Sequence, residues 1–338
     1  MAAQNNAPLP DGLEIGGYRI VKKIASGGFS IVYLAYDADG NAVAVKEYLP
    51  SALALRQPGE LVPVISKPNL PVFRIGLKCF FEEGRALARI VHPNVVRVLN
   101  FFRANETVYM VMAYESGHSL QEYMGRTLAK GGRVGETFIR QAFNGVCAGL
   151  REVHANKLLH LDLKPANIYL RTDGSPMLLD FGAARQTINA DAPTLAPMYT
   201  PGFAAPELYA RGRALGPWTD IYSIGAALFA CMTGSTPQPA DTRGQDDSMA
   251  ARCAALADAY SAELVAMVQA CLALDPLARP QSVFAVQKVL QAGLRRAPAP
   301  APAPDAAPLQ QDHDQVQVAG WRGLVGKIGF GRGSKNGA

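Results

Sequence analysis

The stretch that decides the reading is HLDLKPANIYL, residues 160–170. Behind His160 it sets a carboxylate (Asp162), an ammonium group (Lys164) and a carboxamide (Asn167) within six residues. A second short stretch, LLDFG at 178–182, places Asp180 after an apolar, strand-like run and just before Phe181 and Gly182. Moving a phosphoryl group from a nucleotide needs cations to offset phosphate charge, oxygen ligands to hold them, and a carboxylate near the attacking hydroxyl. Magnesium takes oxygen ligands and keeps several waters, which suits Asp180 and the side-chain carbonyl of Asn167. Asp162 would then orient the hydroxyl and accept its proton, with Lys164 balancing charge on the group in transit.

Working outward toward the N-terminus, YRIVKKIASGGFSIVYLAYDADGNAVAVKEYL (18–49) alternates apolar and polar residues and carries an Asp39–Gly40 turn signal, the pattern of an antiparallel meander. Within it, IASGGFSIVY is a hairpin loop whose backbone N–H groups could cover phosphates. Lys46 stands near the end of the apolar strand AVAVKEY. Singly, both features are ordinary, since tight turns and strand ends use the same residues. CFFEEGRALARIV (79–91) has Phe80, Leu87, Ile90 and Val91 at helical spacing, and VVRVLNFF and VYMVMAY return to strand character. Beyond Ser119 the long apolar segments beginning at Glu136, Trp218, Ala262 and Ser282 are helical. The expected class is α+β, a small antiparallel β lobe with one helix followed by a larger helical lobe.

Lys46, HLDLKPAN and LLDFG in this order resemble the bacterial members of the eukaryotic-like (Hanks-type) serine/threonine protein kinases, over roughly residues 18–293. The resemblance implies the two-lobed protein kinase fold, with ATP in the cleft and Mg2+, or Mn2+ in its place, as cofactor. It implies that Lys46 grips the α- and β-phosphates and pairs with Glu83 of the following helix. Glu82 is the rival, but Glu83 lies nine positions before His92, the family's usual offset. Ile24, Gly27, Gly28, Val32 and Ala44 would line the nucleotide site, with Met112 as gatekeeper and Ala113 to Glu115 offering backbone groups to adenine. Phe181, Gly182, Thr194, Thr200 and Glu207 fall on the activation segment, which ends in TPGFAAPE (200–207). Asp220 would brace the catalytic loop, Arg279 would pair with Glu207, and Leu87, Val98, His160 and Phe181 would stack into a column joining the lobes. The implied activity is transfer of the ATP γ-phosphoryl group to Ser/Thr hydroxyls of protein substrates, autophosphorylation included. Lys164, two residues after Asp162, favours Ser/Thr over Tyr.

Three departures qualify the resemblance. Ala25 and Ser30 replace the first and third glycines of the Gly-rich loop. Lys46 and Glu83 are separated by 37 positions, far more than the family normally shows, with a proline-rich insertion over about 49–76 between them. It reads either as a tolerated surface insertion or as an element that docks a partner or positions the helix. Leu161 stands where the family has an arginine that receives an activation-loop phosphate. A phosphate on Thr194 would lack that partner, so basal activity without it is expected, with regulation falling to the insertion, the tail or a partner. The degraded loop and Leu161 leave a second reading, a pseudokinase acting as a nucleotide-binding or scaffold module. A third, a small-molecule phosphotransferase, would not normally carry TPGFAAPE.

Composition sets the remaining bounds. A chain of 338 residues that is 49% hydrophobic and 18% charged can build a large core. A net charge of +5, spread diffusely, argues against nucleic acid as a partner. Five widely spaced cysteines without a C-x-x-C pair read as reduced residues of a cytoplasmic protein, and no run is long and apolar enough to span a bilayer. Residues 1–13 read as disordered, and 14–296 as the catalytic domain, with 14–115 and 116–296 as its lobes. Residues 297–312 read as a Pro/Ala-rich linker favouring polyproline II. In the Gly-rich basic tail, 313–338, Trp321, Leu324, Val325 and Ile328 take helical spacing among basic residues, compatible with peripheral membrane contact. Its four glycines from Gly320 to Gly329 favour disorder instead.

Overall fold

The computed structural model describes residues 6–181, 199–210 and 212–296. Gly182, Thr194, the linker and the tail lie outside them. The first lobe is a six-stranded antiparallel sheet in the order β1-β2-β3-β4-β8-β7. Its strands are β1 (Glu14–Ile15), β2 (Tyr18–Ser26), β3 (Ser30–Tyr36), β4 (Ala42–Tyr48), β7 (Val98–Ala104) and β8 (Thr107–Ala113). The β3–β4 turn forms because the Asp37 carboxylate accepts from the backbone N–H groups of Asp39 and Asn41, while Gly40 supplies φ +80.

Helix α1 (Leu70–Leu87) packs on this sheet. It starts nine residues before the helix expected over 79–91 and ends four residues earlier. Pro71, in its first turn, is well placed to open a helix, and Phe73 adds a further buried anchor against Tyr48. The latter part of the supposed surface insertion is therefore the beginning of α1. The earlier part forms a small hairpin, β5 (Ala54–Leu55) with β6 (Val64–Ile65). Residues 6–13, expected to be disordered, are held against the lobe: Leu9 is buried, Gly12 N–H donates to the Ile20 carbonyl, and Ile20 N–H donates to the Leu13 carbonyl. The reason is Arg56, a fully buried cation in the insertion that binds Glu47 and the Ala7 carbonyl. Burial, then the Glu47 carboxylate, push the Tyr33 and Tyr109 hydroxyls far above their ordinary values, so both stay protonated and donate to Glu47.

The second lobe opens with a three-stranded sheet, β11-β10-β9, made of β9 (Gly117–Ser119), β10 (Ile168–Arg171) and β11 (Pro176–Leu178). Ser119 and Glu122 form a reciprocal capping box that starts α2 (Leu120–Ala129) as β9 ends. The helices are completed by α3 (Glu136–Ala155), α4 (Pro217–Thr233), α5 (Met249–Ala254), α6 (Ala262–Cys271) and α7 (Val283–Arg296). α7 lies along α3, and α4, buried along nearly its whole length, packs on α6. Apolar residues all round α4 are what a helix at the centre of a lobe requires. No helix among the described residues is long and apolar enough to cross a membrane. All five cysteines are free, and only Cys79 is not fully buried.

Candidate active site

The loop 160–167 is held from below by Asp220, a wholly buried residue in the first turn of α4. Its carboxylate accepts from the backbone N–H of His160 at 2.9 Å and of Leu161 at 2.8 Å, and meets His154 Nε2 at 2.8 Å. This bracket explains how Leu161 tolerates the left-handed φ of +61°, a conformation an L-residue adopts only when its surroundings over-determine it. Asp180, on the other side of the site, is also left-handed, at φ +51°.

Above the bracket, Asp162 accepts from three sides. Lys164 Nζ lies 3.1 Å from Oδ2, Thr200 Oγ1 donates to Oδ1 at 3.0 Å, and Asn167 Nδ2 donates to Oδ2 at 3.0 Å and to the Asp162 carbonyl at 2.8 Å. Lys164 also donates to Thr200 Oγ1 at 2.7 Å. Thr200 thus joins the Asp162–Lys164–Asn167 cluster directly, whereas the sequence places it only on the activation segment. Gly202, two residues on, has φ +85° and sits so close to Thr236 and Pro237 that a Cβ would meet them at 2.4 and 2.7 Å. That contact anchors the segment carrying Thr200.

Across the cleft, Lys46 Nζ forms its ion pair with Asp180 Oδ1 at 2.5 Å, both side chains being about nine-tenths buried. In this structure Lys46 turns to Asp180, where the sequence expects Glu83. The ring that α1 sets beneath Lys46 is Phe80, 5.7 Å from Nζ. Glu83 is nonetheless the inward-facing acid of the two candidates, 8% exposed, while Glu82 lies on the outer face of α1 beside Lys78. Strand register sets Val32 opposite Lys46 and Ala44 opposite Met112, so these four share one face of the sheet. Beyond Met112 the Glu115 carbonyl accepts from Tyr169 Oη at 3.0 Å, which ties the connection between the lobes to β10. Phe181 stacks on His160 with centroids 4.5 Å apart, and Leu87 and Val98 are buried in the same core as Phe181. Burial holds the His160 imidazole below its ordinary value, against the opposing pull of Asp220, Asp162 and Asp180. Farther down, Arg279 clasps Glu207 through its two terminal guanidinium nitrogens, Nη1 and Nη2, at 2.8 and 3.0 Å.

Two features bear on a ligand. At Gly27 and Gly28 the backbone is not left-handed, and among the described residues no atom beyond their chain neighbours lies within 4 Å of where a Cβ would stand, so the described fold does not ask for glycine there. Among the described residues, no three carboxylate, imidazole or thiol groups converge as a metal cage. A cation held by Asn167 and Asp180 would need further oxygens from outside the protein, as magnesium finds on phosphates. Asn167 suits this role: its amide nitrogen is committed to Asp162, leaving its oxygen as the atom able to face a cation.

Comparison with known proteins gives the family of the chain. The family described as "Protein kinase domain" matches residues 18–292. Serine/threonine-protein kinase B of Synechocystis sp. is 30% identical over 247 residues, which cover 69% of this chain and 40% of the relative. Serine/threonine-protein kinase C of the same organism is 28% identical over 83% of this chain and 50% of the relative. The chain thus spans half or less of these curated relatives. Among solved structures, "PpkA-294 apo form" superposes with a TM-score of 0.75 at 35% identity, covering 84% of this chain and 99% of that one. The Mycobacterium tuberculosis PknI kinase domain, at 21% identity and a TM-score of 0.63, shares the fold. With its two-lobed architecture and a family match over nearly the whole described chain, this protein belongs to the protein kinase domain family.

Proposed function

We propose that this chain is an ATP-dependent protein serine/threonine kinase, and the observation that carries the proposal is the Asp162–Lys164–Thr200–Asn167 cluster facing Lys46 and Asp180. Asp162 receives the proton of a Ser or Thr hydroxyl as its oxygen attacks the γ-phosphorus and the bond to ADP breaks. Thr200 and Asn167 fix the carboxylate, and Lys164 neutralises charge on the phosphoryl oxygens. Asn167 and Asp180 would hold a divalent cation, magnesium or manganese, whose contribution is to screen phosphate charge. Lys46 grips the nucleotide phosphates, Gly27 and Gly28 let the loop approach them, and Ile24, Val32, Ala44, Met112 and the Glu115 backbone enclose adenine. With Asp180 holding a cation, Lys46 would be left to the nucleotide phosphates and to Glu83. The free cysteines suit a reducing compartment, and a cytoplasmic location is part of the proposal.

Nothing in the site favours the pseudokinase alternative, since every group the chemistry asks for is present. The test is transfer of labelled γ-phosphate from ATP to a generic protein substrate, followed by identification of the phosphorylated residues. Asp162→Asn should keep ATP binding and lose transfer, while Asp180→Asn should lose magnesium-dependent binding as well. ATP binding without transfer by the parent chain, or full activity in Asp162→Asn, would overturn the assignment.

A further inference from the structure

The Gly-rich turn between β2 and β3 is held by the insertion. Past the last β3–β4 pair, Ser30 with Tyr48, the ladder continues: Leu49 N–H donates to the Phe29 carbonyl at 2.8 Å, and Ser51 N–H to the Gly28 carbonyl at 2.9 Å. Ser51 Oγ reaches the same Gly28 carbonyl at 3.3 Å.

The insertion is itself fastened at one point. Arg56, 1% exposed, grips both Glu47 oxygens, at 2.5 and 2.7 Å, and reaches Tyr33 Oη at 2.9 Å. Its remaining nitrogen, Nε, donates to the Ala7 carbonyl at 2.8 Å. The N-terminal segment closes over this pair. Asn6 Oδ1 accepts from Arg56 N–H at 2.7 Å, Asn6 Nδ2 donates to the Ala54 carbonyl at 3.2 Å, and Leu9 N–H donates to Tyr33 Oη at 3.1 Å. A buried ion pair with its donors satisfied serves best as a registry device, since misplacing the loop strands a charge. The same anchor reaches α1, because Asn69 Nδ2 donates to the Leu53 carbonyl at 3.4 Å and Tyr48 packs on Phe73 and Phe80.

We propose that Arg56 is a positioning residue for nucleotide binding: clamped between Glu47 and the segment Asn6–Leu9, it fixes residues 49–56 where Leu49 and Ser51 hold the Gly-rich turn over the cleft. This rests on the reading of the cleft as an ATP site. A turn released from its clamp must be ordered by the nucleotide, which weakens binding; once ATP is bound, the turn is in place and the chemical step is unaltered.

The experiment compares the full chain with Arg56→Gln, Arg56→Lys and a chain lacking residues 2–7, by amide hydrogen exchange without nucleotide and by ATP-dependent kinetics. Arg56→Gln and the shortened chain should exchange faster at Leu49 and Ser51. They should show a KM for ATP raised about tenfold, the equivalent of roughly 1.4 kcal/mol of binding, with kcat at saturating ATP within about twofold of the parent. Arg56→Lys, which keeps the charge but not the fork, should fall between. If Arg56→Gln does not fold, the shortened chain, which keeps the Arg56–Glu47 pair, decides. Faster exchange with unchanged KM, or a raised KM accompanied by lowered kcat and melting temperature, overturns the positioning role. A parent chain that binds no ATP overturns the kinase reading instead, and the exchange result still reports whether the clamp exists.

Discussion

Replacing Thr200 by valine removes one hydroxyl, keeps the β-branched shape, and tests whether Asp162 must be held from the activation-segment side. In the structure that hydroxyl donates to Asp162 Oδ1 at 3.0 Å and accepts from Lys164 Nζ at 2.7 Å. Hydrogen bonds to charged groups contribute about 1.5–3 kcal/mol each. Full loss of both is offset because Lys164 keeps its own contact with Asp162 at 3.1 Å and Asn167 holds Oδ2. A net loss near the value of one such bond is expected, about 1.4–2.7 kcal/mol, or roughly tenfold to hundredfold in kcat. The KM for ATP should not move, because Thr200 bonds to neither Lys46 nor Asp180. Backbone bonds from Phe203 and Ala204 to the Thr200 carbonyl are independent of the side chain, so folding should survive. The assay is the initial rate on a peptide substrate at saturating ATP, with Thr200→Ser as the control that restores the hydroxyl. A Thr200→Val rate within about twofold of the parent would refute the role of the bridge. So would a loss that serine fails to restore.

Arg279→Met should strand the buried Glu207 carboxylate and free the Ala273, Leu274 and Trp218 carbonyls. The expected destabilisation is about 3–5 kcal/mol by denaturant titration, and adding Glu207→Leu should recover part of it; a change under about 1 kcal/mol would show that water replaces the arginine. His160 makes stability depend on pH. Burial holds its imidazole below the ordinary 6.5, so below that pH the unfolded chain binds more protons than the folded one. Its contribution is complete above 6.5 and is lost as pH falls from there through the lowered folded value. His160→Phe, which removes the titration but keeps a ring against Phe181, should flatten the pH dependence of stability below 6.5 by up to about 1.4 kcal/mol per unit. Parallel stability curves would rule out His160 as the source.

Much of the site is legible in the sequence because its groups are packed into short segments. Asp162, Lys164 and Asn167 fall within six residues, and Asp180 follows one short hairpin later, β10 with β11, so local spacing nearly determines their meeting. The strands of the first lobe are equally readable, since one face is buried and the alternation of side chains reports it. Thr200 is harder: 36 positions from Lys164, its hydroxyl reaches the cluster only because Gly202 lets the chain press against Thr236 and Pro237. Arg56 is harder still. A lone arginine in a proline-rich loop reads as solvated, and its burial depends on Glu47, Tyr33, Tyr109 and a terminal segment whose composition looks disordered.

What the sequence by itself determines about this protein is its chemistry and class: acid, ammonium, amide and second acid in fixed order, on a β lobe followed by helices. Only the tertiary structure decides which partners the charged groups choose. Lys46 is read from the sequence as the partner of Glu83, and in the fold its ammonium pairs with Asp180, with the Phe80 ring of α1 5.7 Å away. The start of α1 and the fate of residues 6–13 are decided in the same way, by burial of Arg56 and Phe73. Local patterns report the free energy of residues near one another in the chain, whereas a buried charge is placed by whatever distant groups can satisfy it.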